Sequence, residues 1–592
     1  MKSYKILLVG TVLGLSAAFS SCDLLDREPN IITEDQFYTS TEQAQLGLNA
    51  VYGVMNSWQL YGCTLILDLG YNTDISMYMS STNSDMYGAS FELNANSASV
   101  SNPWIWLYKG IGNANAFLEK ISGTDLDPDG SMCAQARFLR AYYHFILAQN
   151  WLDVPLKTTA TASYKDVKIA PTPQHEVMKW VVSEMEEVLP VITESFDHAP
   201  SDVTCTTVHG ILGRIYLYMA GEAVSGVTDE EKHTYYEKAA EHCKAVIDSG
   251  LHSLNPDYSQ IFINYVADKY DKEYHESMWE VDFYGDRSSS MYFGNSRWGE
   301  LNGLRCASGD TDYASHKVNW SNGLFGNTYK LWELYMEDDR TPYERGLSII
   351  TDKRQEWSIP SFNYEGSRDI SVLYPYGGDP SDKRKLIAAV DRTPYYSSTN
   401  PSEQNTNVNQ AYYPGGRNIG KFRREIQYEG LKNFKSIWTG VNVPLLRYSD
   451  VILMYVEAVN ERDHKPTEEL YNMILPLRKR AGVQTPSYSK YNTYEKFQQF
   501  VRNERARELC FEGLRKHDLI RWGIYYKSML EVSCAVLPHR RAVCWALTSS
   551  RKPSPPPAPG WNRPGCPLGS MPCTATATPI CYSMCSPVRR MP

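Results

Sequence analysis

The chain has 592 residues, a formal charge of −9, and 12% aromatic residues that include 42 tyrosines and 14 tryptophans. That length exceeds what one hydrophobic core usually supports, so two lobes or more are expected. The acidic balance and the lack of a basic stripe argue against a nucleic-acid partner.

The first element is a targeting segment. Lys2 and Lys5 precede an apolar run from Ile6 to Phe19, followed by the small residues Ser20 and Ser21 and then Cys22. The run is too short to span a bilayer, which takes roughly 20 apolar residues. A basic start, a short apolar run and small residues before a cysteine match a lipoprotein signal. Residues 1–21 are therefore the expected signal peptide and Cys22 the candidate lipid anchor. An ordinary secretory signal with an incidental Cys22 is the alternative. No later stretch has transmembrane length, so the remainder is expected to be soluble and tethered by acyl chains.

Apolar residues then recur at helical spacing. "ARFLRAYYHFILAQNWLDVPL" places Phe138, Leu139, Tyr142, Tyr143, Ile146 and Leu147 on one broad face, and Pro155 closes the unit. Arg137 and Arg140 are expected to pair with acids elsewhere. In "TPQHEVMKWVVSEMEEVLPVI", Thr172 is the expected N-cap and Pro173 the first helical residue. "TTVHGILGRIYLYMAG" with "YYEKAAEHCKAVIDSG" forms a pair closed by glycines, and "PLLRYSDVILMYVEAVNE" with "TEELYNMILPLRKRAG" forms another. Short antiparallel pairs with small residues at crossing points suggest a tetratricopeptide-like repeat.

Residues 255–440 interrupt the pattern. They are rich in Gly, Asn, Ser, Tyr and Trp and sustain no period. Long irregular segments on a rigid scaffold tend to carry binding residues. Sugars offer C–H faces that stack on aromatic rings, and hydroxyls that need amides and charged groups. The candidate ligand residues are therefore Tyr292, Arg297, Trp298 and Trp320 here, with Tyr87 and Phe91 in "STNSDMYGASFELNANSAS". Trp104, Trp106 and Tyr108 are expected mostly in the core.

Asp125, Asp127, Asp129 and Gly130 match positions 1, 3, 5 and 6 of a calcium loop. Position 12 is Ala136, so the bidentate ligand is missing and the same residues suit a turn or cap. The dense charges Glu504, Arg505, Arg507, Glu508, Glu512, Arg515 and Asp518 read as helix-stabilising i,i+3 and i,i+4 pairs rather than catalytic acids.

The final stretch differs in kind. Residues 531–592 hold 12 of the 32 prolines, six of the 13 cysteines, and seven Lys or Arg against the single acid Glu531. "CYSMC" has no second half for a zinc site. No helical or strand period follows residue 531. This tail reads as a reading-frame change near residue 531, disordered and without function, with a real Pro-rich linker as the alternative. The seven earlier cysteines have no close pairs and, Cys22 apart, read as scattered buried thiols.

Five stretches in order resemble the SusD/RagB family of outer-membrane nutrient-binding lipoproteins of Bacteroidetes. They are "SSCDLLDREP", "ITEDQFYTSTEQAQLGLNAVYGVM", "WIWLYKGIGNANAFLEKI", "ARFLRAYYHFILAQNWLDVPL", and "VPLLRYSDVILMYVEAVNE" through "RNERARELCFEGLRKHDLIRWG". The resemblance implies a mainly α fold, a helical repeat scaffold packed against an irregular, loop-rich ligand-binding lobe. It implies 22–254 as an N-terminal helical repeat region, 255–440 as the ligand-binding lobe and 441–530 as a C-terminal helical region. It also implies a lipid-anchored outer-membrane protein that passes an oligosaccharide, or in some relatives a peptide, to a SusC-like TonB-dependent barrel. No cofactor and no catalytic role are implied. Family members continue past "RWG" with a packing segment that the tail does not resemble. A secreted glycoside hydrolase and a periplasm-facing repeat adaptor are the alternative readings. The hydrolase needs two carboxylates placed across a cleft.

Overall fold

The computed structural model describes residues 37–79, 86–163, 167–196, 200–283, 294, 296–305, 321–335, 352–360, 362–363, 374–375, 416–424, 438–483 and 485–536. The chain divides into two units, 1–536 and 537–592, and every described residue lies in the first.

The described elements are mainly helical. Helices α1 (Thr41–Tyr52), α2 (Ala98–Ile121), α3 (Ser131–Trp151) and α4 (Gln174–Val188) lead into α5 (Cys205–Ala220), α6 (Asp229–Ser249) and α7 (Tyr258–Ala267). The C-terminal part holds α8 (Tyr448–Asp463), α9 (Tyr494–Glu508), α10 (Arg515–Arg521) and α11 (Tyr525–Val536). Helix α2 packs on α3, α3 on α4, α5 on α6, and α6 on α8, as stacked pairs. One hydrophobic core runs from Ala44 to Phe511, and a smaller cluster around Leu470, Phe497 and Phe500 sits under α8 and α9.

Small residues set the helix spacing. A Cβ on Gly110 of α2 would lie 2.5 Å from the Tyr143 ring of α3, so only glycine permits this crossing. The Tyr143 hydroxyl then donates to the Val51 carbonyl at 2.6 Å, tying α3 to α1. The N-terminus of α6 is closed by a capping box between Thr228 and Glu231, and its C-terminus by Gly250 at φ +65°.

Several expectations are met in altered form. Thr172 does not cap α4. It pairs with Val154 in a two-residue bridge, and the Gln174 amide is capped by Asp153 Oδ1 at 2.9 Å from the turn after α3. "PLLR" is strand rather than helix. Val443–Arg447 pairs antiparallel with Ser277–Val281, and this fully buried strand joins the C-terminal helices to the middle of the chain. Helix α11 continues to Val536, so the break in pattern falls beyond residue 531 in structure, and Glu531 lies 3.7 Å from Lys330. Residues 537–592 lie outside the described residues.

The charged C-terminal helices differ most from the sequence reading. Their ion pairs are mainly tertiary and buried. Arg354 binds Glu504 at 2.7 Å and Glu508 at 3.2 Å, Arg447 binds Glu276 at 2.9 Å and Glu512 at 2.7 Å, and Arg505 bridges Asp450 and Asp518. Only Arg507–Glu504 and Arg521–Asp518 are local i,i+3 pairs among these. Burial alone would raise the Glu508 carboxyl. The Arg480, Arg447 and Arg354 guanidiniums outweigh it and hold that carboxyl down at about 2. Arg137 and Arg140 of α3 reach Glu184 of α4 at 2.9 and 2.7 Å, in line with the expectation that they pair with acids elsewhere. Cys63, Cys243 and Cys510 are buried and Cys133 and Cys205 half-buried, all five outside any disulfide.

Candidate functional site

The site is built from three stretches far apart in sequence. After α1, the chain turns and enters a five-residue π-helical turn, Trp58–Gly62, in which Leu60 departs from helical geometry at φ −103°, ψ −111°. Isolated π-turns are uncommon and frequently occur at functional sites. The carbonyl of Gly62 accepts the Arg297 amide at 2.8 Å. Ser296, beside it, forms a two-way backbone bridge with Thr439, at 3.1 and 2.7 Å, and their hydroxyls meet at 2.8 Å. These bonds place Trp58, Arg297 and Trp438 together.

The result is a half-buried aromatic corner. Trp58 and Trp438 meet edge to face, with centroids 5.0 Å apart and planes at 75°. The Arg297 guanidinium lies 5.6 Å from the Trp58 ring centroid and its Nε donates to buried Glu300 at 2.5 Å. Flanking Trp58, Asn56 Oδ1, Ser57 Oγ and Gln59 Oε1 are buried oxygens without a hydrogen-bond partner. Rings backed by a guanidinium and amide oxygens suit ligands with both C–H faces and hydroxyls.

Of the sequence candidates, Arg297 belongs to this corner. Trp298 does not face a ligand. Its ring is fully buried, edge to face with Tyr71 at 5.8 Å and Phe422 at 5.0 Å, because the one-turn helix it begins packs inward. Tyr87 and Phe91 sit on a separate turn pinned by Asp68, whose Oδ1 accepts the Gly88 and Ala89 amides at 2.8 and 2.9 Å. Tyr87 is exposed, Phe91 is half-buried at φ +63°, and among the described residues no ring contact links either to Trp58. Cys22, Tyr292 and Trp320 lie outside the described residues.

Sequence reasoning missed Trp58 and Trp438. The signal was present in "MNSWQLYG", where an aromatic is flanked by amides and a hydroxyl just past a helix end. Trp104, Trp106 and Tyr108, expected mostly in the core, are half-buried and pack against it. Trp104 and Tyr108 cluster with Trp151 where α2 meets α3, with Ile105 and Leu152 exposed nearby.

Two of the three aspartates of the calcium motif are used as caps. Asp127 accepts the Met132 and Cys133 amides at 3.0 and 2.8 Å, and Asp129 accepts the Ser131 amide at 3.1 Å, at the start of α3. Among the described residues no three His, Cys, Asp or Glu side chains are grouped to hold a metal ion. One acidic cluster stands out. Asp268, Glu280 and Asp282 all accept from the same Asn442 Nδ2, at 3.3, 3.3 and 3.1 Å. Burial raises Glu280 well above the usual carboxylate range, and burial with the neighbouring acids raises Asp282 to about 6.

The fold is shared with solved SusD-like structures. A SusD homolog from Bacteroides thetaiotaomicron aligns with a TM-score of 0.68 at 24% identity, covering 84% of this chain and 90% of that one. A protein described as a laminarin binding SusD-like protein aligns at 0.58 and 18% identity, covering 84% and 94%. In sequence, SusD-like protein P2 of Formosa agariphila is 24% identical over 540 residues, spanning 88% of this chain and 91% of that protein. The model described as the SusD family matches residues 275–534, and one described as "Starch-binding associating with outer membrane" matches residues 24–217. The chain belongs to the SusD/RagB family. Among the described residues no helix is long and apolar enough to cross a membrane.

Proposed function

We propose that this chain is a surface lipoprotein of the outer membrane that binds an extracellular oligosaccharide and delivers it to a SusC-like TonB-dependent transporter. The observation that carries the reading is the Trp58–Trp438 corner with Arg297 over it. The starch-binding description of the family model, with a solved neighbour described as laminarin binding, supports the ligand class. The corner draws on both the 22–254 region, through Trp58, and the 255–440 lobe, through Arg297 and Trp438. Stacking and hydrogen bonds at a half-buried site give modest affinity, about micromolar or weaker, or roughly −8 kcal/mol and less. Such weakness favours release into a barrel. Cys22 carries the lipid anchor, and several acyl chains together hold stably. The protein has no catalytic role in this reading.

A glycan array with the full chain tests it. Binding to a defined oligosaccharide without turnover supports the reading. Turnover would move the protein to the glycoside hydrolases, and binding of peptides with no glycan would move it to the peptide-binding branch of the family.

A further inference from the structure

A half-open cavity of about 90 Å³ lies among α3, α5, α8 and α10. Its walls mix aliphatic side chains with the rings of Tyr61, Tyr142 and Phe145. The hydroxyls of Tyr61 and Tyr142 meet there at 2.6 Å. Gln149 and Asn150 stand half-buried on α3.

Two polar groups in the lining are unsatisfied. Arg214 spends Nη2 on Asp450 at 2.7 Å, and its Nε–H is buried without a partner. His517 Nδ1 is likewise buried and unpartnered. Burial, helped by Lys516, holds that imidazole neutral, with its proton lost above about 3. Each buried, unmet polar group costs about 1–3 kcal/mol, so such groups normally meet water or a ligand.

The charges of the lining cancel among themselves. Arg214 and Arg505 share Asp450, Arg505 and Arg521 share Asp518, and Glu512 is held by Arg447. An ionic ligand would have to break one of these pairs, so a neutral ligand is favoured. Aromatic faces, two side-chain amides, an unspent guanidinium N–H and a neutral imidazole match a small ring with C–H faces and several hydroxyls.

We propose that this cavity is a second binding site, taking a single neutral pyranose sugar. It stands apart from the aromatic corner. Trp58 does not line it, although Tyr61 belongs to the same π-turn. The inference rests on the cavity alone and survives a different ligand at the corner.

The test is made in the Trp58→Ala chain, so that the corner does not contribute. Free glucose, galactose, mannose and xylose are titrated, each up to about 10 mM, by saturation-transfer NMR and calorimetry. At least one is expected to saturate. Adding Gln149→Leu or Asn150→Leu is expected to weaken it about tenfold or more, with each variant's melting curve confirming the fold. No saturable binding of any of the four, or binding unchanged in both rim variants, would overturn the proposal.

Discussion

Arg354 and Glu504 form an ion pair at 2.7 Å with both side chains fully buried. Glu504 also receives Arg478 at 2.8 Å and Arg507 at 2.9 Å, so one carboxylate organises three guanidiniums between the middle and the C-terminal helices. Removing one member of such a group strands the others. Glu504→Gln should cost about 3–5 kcal/mol of stability. Chemical denaturation checks this, and a loss under about 1 kcal/mol would show that the network is not the staple described here.

Leu152 ends α3 at φ +65°, ψ −108°, with its side chain exposed. That backbone conformation costs a residue with a Cβ about 1–2 kcal/mol, partly offset by the extra freedom glycine has when unfolded. Leu152→Gly should therefore stabilise the chain by about 0.5–1 kcal/mol, while Leu152→Ala should not. Thermal unfolding of the two variants separates them. Destabilisation by glycine would mean that the exposed leucine makes a contact worth more than the strain.

Two clusters give stability opposite dependences on pH. The native carboxyls of Glu280 and Asp282 are raised by burial, so their contribution is full below the unfolded value of about 4; that of Asp282 is lost as pH rises through about 6, and that of Glu280 as pH rises through its own raised value. His209 runs the other way. Its Nδ1 meets His242 Nδ1 at 2.9 Å, and burial followed by the His242 charge lowers it to about 4. The folded state resists its protonation, so stability falls as pH drops from about 6.5 through 4. The slopes oppose each other in the parent. Relative to the parent, Glu280→Gln should make stability rise more steeply with pH across this window, and His209→Gln should make it rise less steeply. Denaturant midpoints at several pH values check both signs, and a variant with the parent's profile would remove that group from the account.

These pairs show where sequence reading stops. The helices were legible because Phe138, Leu139, Tyr142 and Tyr143 repeat on one face, and because Gly250 ends α6 where its residue type allows a positive φ. The C-terminal charges looked like local helix pairs since i,i+3 and i,i+4 spacing is the only charge geometry a linear sequence displays. Arg354, Arg447 and Arg480 come from distant segments to bury them. The corner was half legible for the same reason. Arg297 lies in an aromatic, amide-rich stretch, but its proximity to Trp58 depends on the Gly62 carbonyl, and Trp298 beside it turns inward. Composition points to a stretch and cannot say which side chain faces out.

The lipid anchor is testable without a ligand. Replacing Cys22 with Ala should release the protein from the outer-membrane fraction, since acylation of that thiol is the expected tether. Cell fractionation of parent and variant reads the result, and a variant retained as firmly as the parent would place the anchor elsewhere.

The central claim is that Trp58 and Trp438 form the glycan platform. The direct measurement is calorimetric titration of the best glycan-array ligand into the parent, Trp58→Ala and Trp438→Ala, each confirmed folded by its melting curve. The account predicts that each substitution weakens binding about tenfold or more, or about 1.4 kcal/mol. Both variants binding within about twofold of the parent would contradict it.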